Sequence, residues 1–161
     1  MAAERDTVTF VCTGNTCRSP MAEALLRAAL TKRGQGLGHL KVASRGMAAE
    51  GGEEASANAK RAMSKIGLGL DAHRSQPLTQ EDLDRSLAVF VMTTRHLEAL
   101  RTRFATLPES VRLLRDVLPE DQPRDIPDPF GGDIRDYEDC RDSMVEAVPA
   151  LIEFLRRHFA R

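Results

Sequence analysis

The segment Cys12-Thr13-Gly14-Asn15-Thr16-Cys17-Arg18-Ser19 sets five residues between a cysteine and an arginine, with a serine directly after the arginine. A thiol attacks phosphorus usefully only as its thiolate, and three features of this segment favour the charged form. It lies just before a helix N-terminus, where unpaired amides and the helix dipole favour an anion. Gly14 lets the backbone turn with its N–H groups inward, forming a nest. Arg18 adds a fixed cation whose planar fork matches two phosphate oxygens. A span of five residues curls a loop around one tetrahedral anion. Thr13, Gly14, Asn15, Thr16, Cys17, Arg18 and Ser19 therefore read as a phosphate-binding loop around a nucleophile, Cys12. The nest and Arg18 would also hold the charge on the equatorial oxygens as phosphorus passes to sulfur. Ser19 would donate a hydroxyl to the sulfur when water breaks the intermediate. The plainer reading is a buried cysteine in a turn. It does not account for Cys, Gly, Asn, Arg, Ser and Pro standing together between a strand and a helix.

A covalent thiolate route needs a general acid for the leaving group and then a base for water. The candidate is Asp128 in Ile126-Pro127-Asp128-Pro129-Phe130-Gly131-Gly132, where two prolines stiffen the loop. Apolar neighbours there would help the carboxyl hold a proton. Asp125 is the rival, and spacing alone leaves the choice open. Asp and Pro are also ordinary turn formers.

The elements that must position these groups follow from the hydrophobic pattern. Residues 7–11 are a β-branched and aromatic run, a buried strand that ends in the cysteine loop. Residues 20–30 read as a helix with Ser19 placed to cap it and Pro20 in the first turn, where no donor is needed. Met21, Leu25, Ala28 and Ala29 share one face, and the glycines at 34, 36 and 38 stop the helix. Further strands are predicted at 40–44, 87–92 and 111–114, and helices at 53–66, 94–104 and 136–158. The last turns Met144, Val148, Leu151, Ile152 and Leu155 inward, and Pro149 predicts a kink or break in it. Residues 121–132 form a loop rich in Pro, Asp and Gly. Strands alternating with helices give the α/β class: one doubly wound domain over residues 1–161, with a four-stranded parallel sheet of order 2-1-3-4 flanked by helices on both faces. Ligands in such folds sit beyond the carboxyl ends of the strands, which is where the Cys12 loop begins.

Bulk properties narrow the partners. A chain of 161 residues suits one domain with a proper core. The net charge of −1 offers no global attraction to nucleic acid or an anionic membrane, so an anion site must be local. No segment has the length or apolarity of a membrane span or a signal peptide. Three cysteines are too few for a disulfide scaffold, which points to a reducing, cytoplasmic compartment. No second Cys or His pair follows Cys12 and Cys17 at ligand spacing, so zinc is not implied, and a metal-independent monomer without cofactor is expected. A nucleotide P-loop is excluded because Gly-Lys-Ser/Thr is missing.

With Cys12 to Ser19, Pro20 and Asp128-Pro129-Phe130 in hand, the chain resembles the low-molecular-weight protein tyrosine phosphatase family over nearly its whole length. The resemblance implies a phosphorylated protein as substrate and Asp128, not Asp125, as the acid. It also implies that Asn15 braces the loop through Ser44 and His73, holding a strained conformation. Arg45 departs from the family's alanine and would add charge near the rim.

Within that resemblance, Thr16 stands where tyrosine-directed members carry a bulky aliphatic residue, and bacterial protein-arginine phosphatases carry threonine. Tyrosine-directed members also grip the ring between aromatics from two loops. This chain offers Phe130 alone after Asp128-Pro129, no aromatic in the five residues after Ser44, and no tryptophan. A slot with one aromatic wall admits a guanidinium-bearing chain. The reading is therefore phosphoarginine, selected by Thr16 and Phe130, with phosphotyrosine as the alternative. Cys17, expected on the rim of the same loop, is a candidate redox partner of Cys12; the alternative is a small core residue under the loop. Cys140 is read as structural or partly exposed. An arsenate reductase would need a relay pair of cysteines between Cys17 and Cys140, where there is none. A non-catalytic phosphopeptide-binding module would need neither Cys12 nor Asp128.

Overall fold

β1 (Thr7–Cys12) is buried from Val8 onward because neighbours flank it on both sides and helices cover both of its faces. The computed structural model describes residues 4–161. β1 is followed by α1 (Arg18–Arg33), β2 (Lys41–Gly46), α2 (Ala57–Ser64), α3 (Gln80–Arg85), β3 (Ser86–Val91), α4 (Thr94–Arg103), β4 (Ser110–Leu113), one short 3₁₀ turn (Leu114–Val117) and α5 (Ile134–Phe159). The sheet is parallel, ordered β2-β1-β3-β4, with Cys12 opposite Gly46 and Val11 opposite Val91. Chain order runs outward in both directions from β1 and β3, so the crevice of a doubly wound sheet opens at the end of β1.

Strand alternation sorts the core into two layers. Val8, Phe10, Ala88 and Phe90 pack under α1, α2 and α5, with the Phe10 and Phe90 rings 5.9 Å apart. Val11, Val89 and Val91 pack on the other face with Leu83 of α3 and Leu100 of α4. On α5 the apolar positions recur every three or four residues, and Met144, Val148, Leu151, Ile152 and Leu155 are all buried as expected.

Three local expectations change. The helix predicted at 53–66 is only Ala57–Ser64, capped by Ser56. Residues 53–56 are held extended instead: Glu53 exchanges bonds with Ser75, and the Ser56 amide donates to the Thr16 carbonyl at 2.9 Å. α5 runs on through Pro149. The proline and Val145, whose carbonyl loses its partner, both lie on the exposed face, where water can replace the missing donor. α3 is not predicted by the hydrophobic pattern, although Thr79 and Asp82 form a reciprocal capping box, Thr-x-x-Asp, at its start.

Candidate active site

Cys12 is the last residue of β1, 2% exposed, and Arg18 opens α1. The loop between them is gripped by its carbonyls from outside. Cys12 O accepts from Met47 N (2.8 Å), Thr13 O from Ala48 N (2.9 Å), Thr16 O from Ser56 N (2.9 Å) and Cys17 O from Met21 N (3.4 Å). Asn15 O accepts from His73 Nε2 at 2.7 Å. Among the described residues nothing accepts from the N–H groups of residues 13–17. With the carbonyls bonded to neighbouring segments, these amides are left unpaired and available to an anion, as in a nest.

Asn15 fixes this arrangement. At φ 58° it is the sole non-glycine residue with positive φ among the described residues, a conformation that costs about 1 kcal/mol and that Asn tolerates best. Its fully buried side chain offsets the cost: Nδ2 donates to Ser19 Oγ (2.8 Å) and Ser44 Oγ (3.1 Å), and Oδ1 accepts from Gln76 N (2.9 Å). Ser44 in turn donates to Glu23 of α1 at 2.7 Å. Gly46 is required by close approach: a Cβ there would stand 2.7 Å from Thr13 O and 3.0 Å from Asn15 Cβ.

Ser19 is not the helix cap expected from sequence. The N-cap is Cys17, with no side-chain bond, and Ser19 sits inside the first turn. Its Oγ lies 2.9 Å from Cys12 Sγ. It accepts from Asn15, and its own proton has two acceptors in reach, the sulfur at 2.9 Å and the more distant Arg45 carbonyl at 3.4 Å. The helix start gives up a capping bond and gains a donor aimed at the thiol.

Arg18 is 4% exposed and ties the two loops together. Its guanidinium donates to the Ile126 carbonyl at 2.9 Å and lies 3.7 Å from Asp128 Oδ2. Asp128 is half exposed and faces Arg18, not the apolar enclosure expected, and its other oxygen accepts from Phe130 N at 3.0 Å. Asp125 is occupied elsewhere, accepting from the backbone and hydroxyl of Thr94 at the start of α4 (3.0 and 3.2 Å). Phe130 is 74% exposed beside Asp128, free to wall a bound side chain. Buried Arg115 anchors the approach to this loop, donating to Pro123 O at 2.5 Å and to Ser143 O of α5 at 2.6 Å.

Cys17 lies beneath the loop, not on its rim: 5% exposed, with Ser56 Oγ at 3.4 Å and Tyr137 Oη at 3.5 Å. Burial and the bond to Cys17 push the Tyr137 phenol up to about 12. Cys140 is buried, and burial pushes its thiol to about 12, which makes it inert. Arg45 does not lend free charge to the rim, because Asp82 of α3 pairs with it at 3.2 Å. Thr16 is half-buried. Sequence reasoning missed Glu23, Gln76, Arg115, Tyr137 and His96. His96, 7% exposed, sits in the first turn of α4 with Nε2 2.9 Å from Thr13 Oγ1 and Nδ1 3.3 Å from Thr93 Oγ1. Burial, and then the Arg18 charge, lower it to about 4. Its place just past the carboxyl end of β3 was the available signal.

A doubly wound sheet carrying a Cys-x5-Arg-Ser anion loop at its switch point, with an Asp-Pro loop alongside, defines a cysteine-loop phosphatase class. The family described as low molecular weight phosphotyrosine protein phosphatase matches residues 7–161, and the chain belongs to that family as a low molecular weight protein phosphatase. It is 38% identical to a protein-arginine-phosphatase of Geobacillus stearothermophilus, over 92% of this chain and 95% of that one. It is 37% identical to a low molecular weight protein-tyrosine-phosphatase of Streptomyces coelicolor, over 92% and 93%. Among solved structures it resembles a mutant of the arginine phosphatase YwlE with a phosphorylated active-site serine, at a TM-score of 0.85 and 33% identity over 94% and 96% of the chains.

Proposed function

We propose that this chain is a protein-arginine phosphatase that works through a phospho-cysteine on Cys12. The observation that carries the reaction is the loop whose carbonyls are bonded outward while its amides stay free around the Cys12 sulfur. Those amides and Arg18 bind the phosphoryl group. The Cys12 thiolate attacks phosphorus as the P–N bond breaks, and Asp128 gives the departing guanidine its proton. Asp128, now a carboxylate, takes a proton from water. The water oxygen attacks phosphorus, the S–P bond breaks, and the Ser19 hydroxyl supports the returning thiolate. Orthophosphate leaves.

Arginine specificity rests on Thr16 in the loop, on Phe130 as the one aromatic wall, and on Asp128, whose carboxyl can accept a guanidinium N–H on one oxygen while the other carries the proton it delivers. Two relatives named protein-arginine-phosphatase, at 38% and 34% identity, support the same reading. The three free cysteines fit a reducing compartment, and we take the chain to act in the cytoplasm as a monomeric, single-domain enzyme on phosphorylated proteins.

The test is hydrolysis of phosphoarginine, phosphotyrosine and phosphoserine peptides by the purified chain. A kcat/KM higher for phosphoarginine supports the reading, and a preference of about tenfold or more for phosphotyrosine overturns it in favour of the tyrosine-directed alternative. Turnover by Cys12→Ser would overturn the covalent route itself.

A further inference from the structure

Among the described residues His96 is the one buried histidine, and nothing in the reaction above uses it. Its imidazole bridges two hydroxyls. Nδ1 is 3.3 Å from Thr93 Oγ1, the N-cap of α4, and Nε2 is 2.9 Å from Thr13 Oγ1, the first residue after the nucleophile. Thr13 is exposed, next in the chain to the nucleophile, and is the residue of the loop that His96 reaches. The ring feels Arg18, Asp125 and Asp128 together, so it stands at the junction of the phosphate loop, α4 and the acid loop.

A neutral imidazole between two hydroxyls decides which way each of them points its proton. The Thr93 oxygen already accepts from the His96 amide at 3.3 Å and has a second lone pair for Nδ1–H. In the tautomer with Nδ1–H donating there, Nε2 is the acceptor and the Thr13 hydroxyl donates to it. That leaves the Thr13 oxygen with both lone pairs free to accept. A guanidinium leaving group carries N–H donors that need acceptors beyond Asp128, whereas a phenol offers no N–H there.

We propose that His96 is a positioning residue that turns the Thr13 hydroxyl into an acceptor for the substrate guanidinium, and that this pair helps select phosphoarginine over phosphotyrosine. The proposal rests on the arginine reading above. His96 acts through Thr13 and touches no reacting atom.

The experiment measures kcat/KM on matched phosphoarginine and phosphotyrosine peptides for wild type, Thr13→Val, His96→Leu, His96→Gln and the Thr13→Val/His96→Leu double variant. Thr13→Val and His96→Leu should each lower the phosphoarginine-to-phosphotyrosine ratio about tenfold. His96→Gln, whose amide oxygen can accept from Thr13, should hold the ratio within about threefold of wild type. The double variant should lose no more than either single one. Additive losses, or equal losses on both peptides, overturn the proposal. If His96→Leu does not fold, Thr13→Val and the nitrogen-15 NMR spectrum of His96 decide: an unprotonated Nε2 is expected, and a protonated one overturns the assignment. The wild-type ratio reports on the arginine reading separately. A wild type that prefers phosphotyrosine sinks that reading, while the double-variant comparison still shows whether His96 works through Thr13.

Discussion

Acid should destabilise this protein through His96 in a way that can be isolated. Burial and Arg18 lower the group from 6.5 to about 4 in the folded chain, while the unfolded chain titrates normally. Between those values the unfolded state binds the extra proton, so stability is complete above about pH 6.5 and falls as pH drops toward 4. Taking the chain from pH 7.5 to pH 5 should then remove about 2 kcal/mol through this one side chain. The assay is urea unfolding at both pH values for wild type and for His96→Gln, which keeps a polar side chain and has no proton to gain. The other histidines are common to both proteins and cancel. Wild type should lose about 2 kcal/mol more than the variant over this interval. Equal losses in the two proteins would mean that His96 is not held neutral by its site, and the reasoning from burial would fall.

Other expectations are simpler. Gly46→Ala should lower unfolding free energy by about 1–3 kcal/mol and depress kcat, because its methyl meets Thr13 O at 2.7 Å; denaturant midpoints and steady-state rates read both. Asp125→Ala should cost about 1 kcal/mol of stability through the start of α4 and leave the shape of the pH–rate profile intact. Asp128→Asn should instead lower kcat/KM about 10²–10⁴-fold and remove the alkaline limb of that profile, where the acid loses its proton. Arg115→Met should leave the Pro123 and Ser143 carbonyls without donors, costing about 2–4 kcal/mol and speeding proteolysis within residues 119–126. Thr16→Ile should shift kcat/KM toward phosphotyrosine peptides, and an unchanged ratio would remove Thr16 from the selectivity argument.

What the sequence disclosed and what it withheld divide along the range of the interactions. The strands at residues 7–12 and 86–91 and the inward stripe of α5 follow from short-range apolar periodicity, and the Cys12 loop from spacing within eight residues. The preference for Asp128 over Asp125 comes from the family resemblance, because both lie in one Pro-rich loop and differ only in partners. Asp125 is spent on Thr94, 31 residues away. The supports of the loop are longer in range still: Gln76 reaches Asn15 across 61 positions and His96 reaches Thr13 across 83. No local pattern marks such residues. The truncated start of α2 has the same origin, since the Ser56 amide that a longer helix would have enclosed is claimed by Thr16.

The loop's outward-bonded carbonyls also bear on how such an enzyme can change its diet over evolutionary time. Its shape is dictated by main-chain bonds to Met47, Ala48, Ser56, His73 and Met21, together with the buried side chain of Asn15. The side chains of Thr13 and Thr16 carry none of that burden. The shape of the loop is thus held by its backbone and Asn15, while the Thr13 and Thr16 side chains are not among its supports. On the reading proposed above, a lineage could trade one phosphorylated residue for another by substitutions at those two positions while the scaffold of the loop stays as it is.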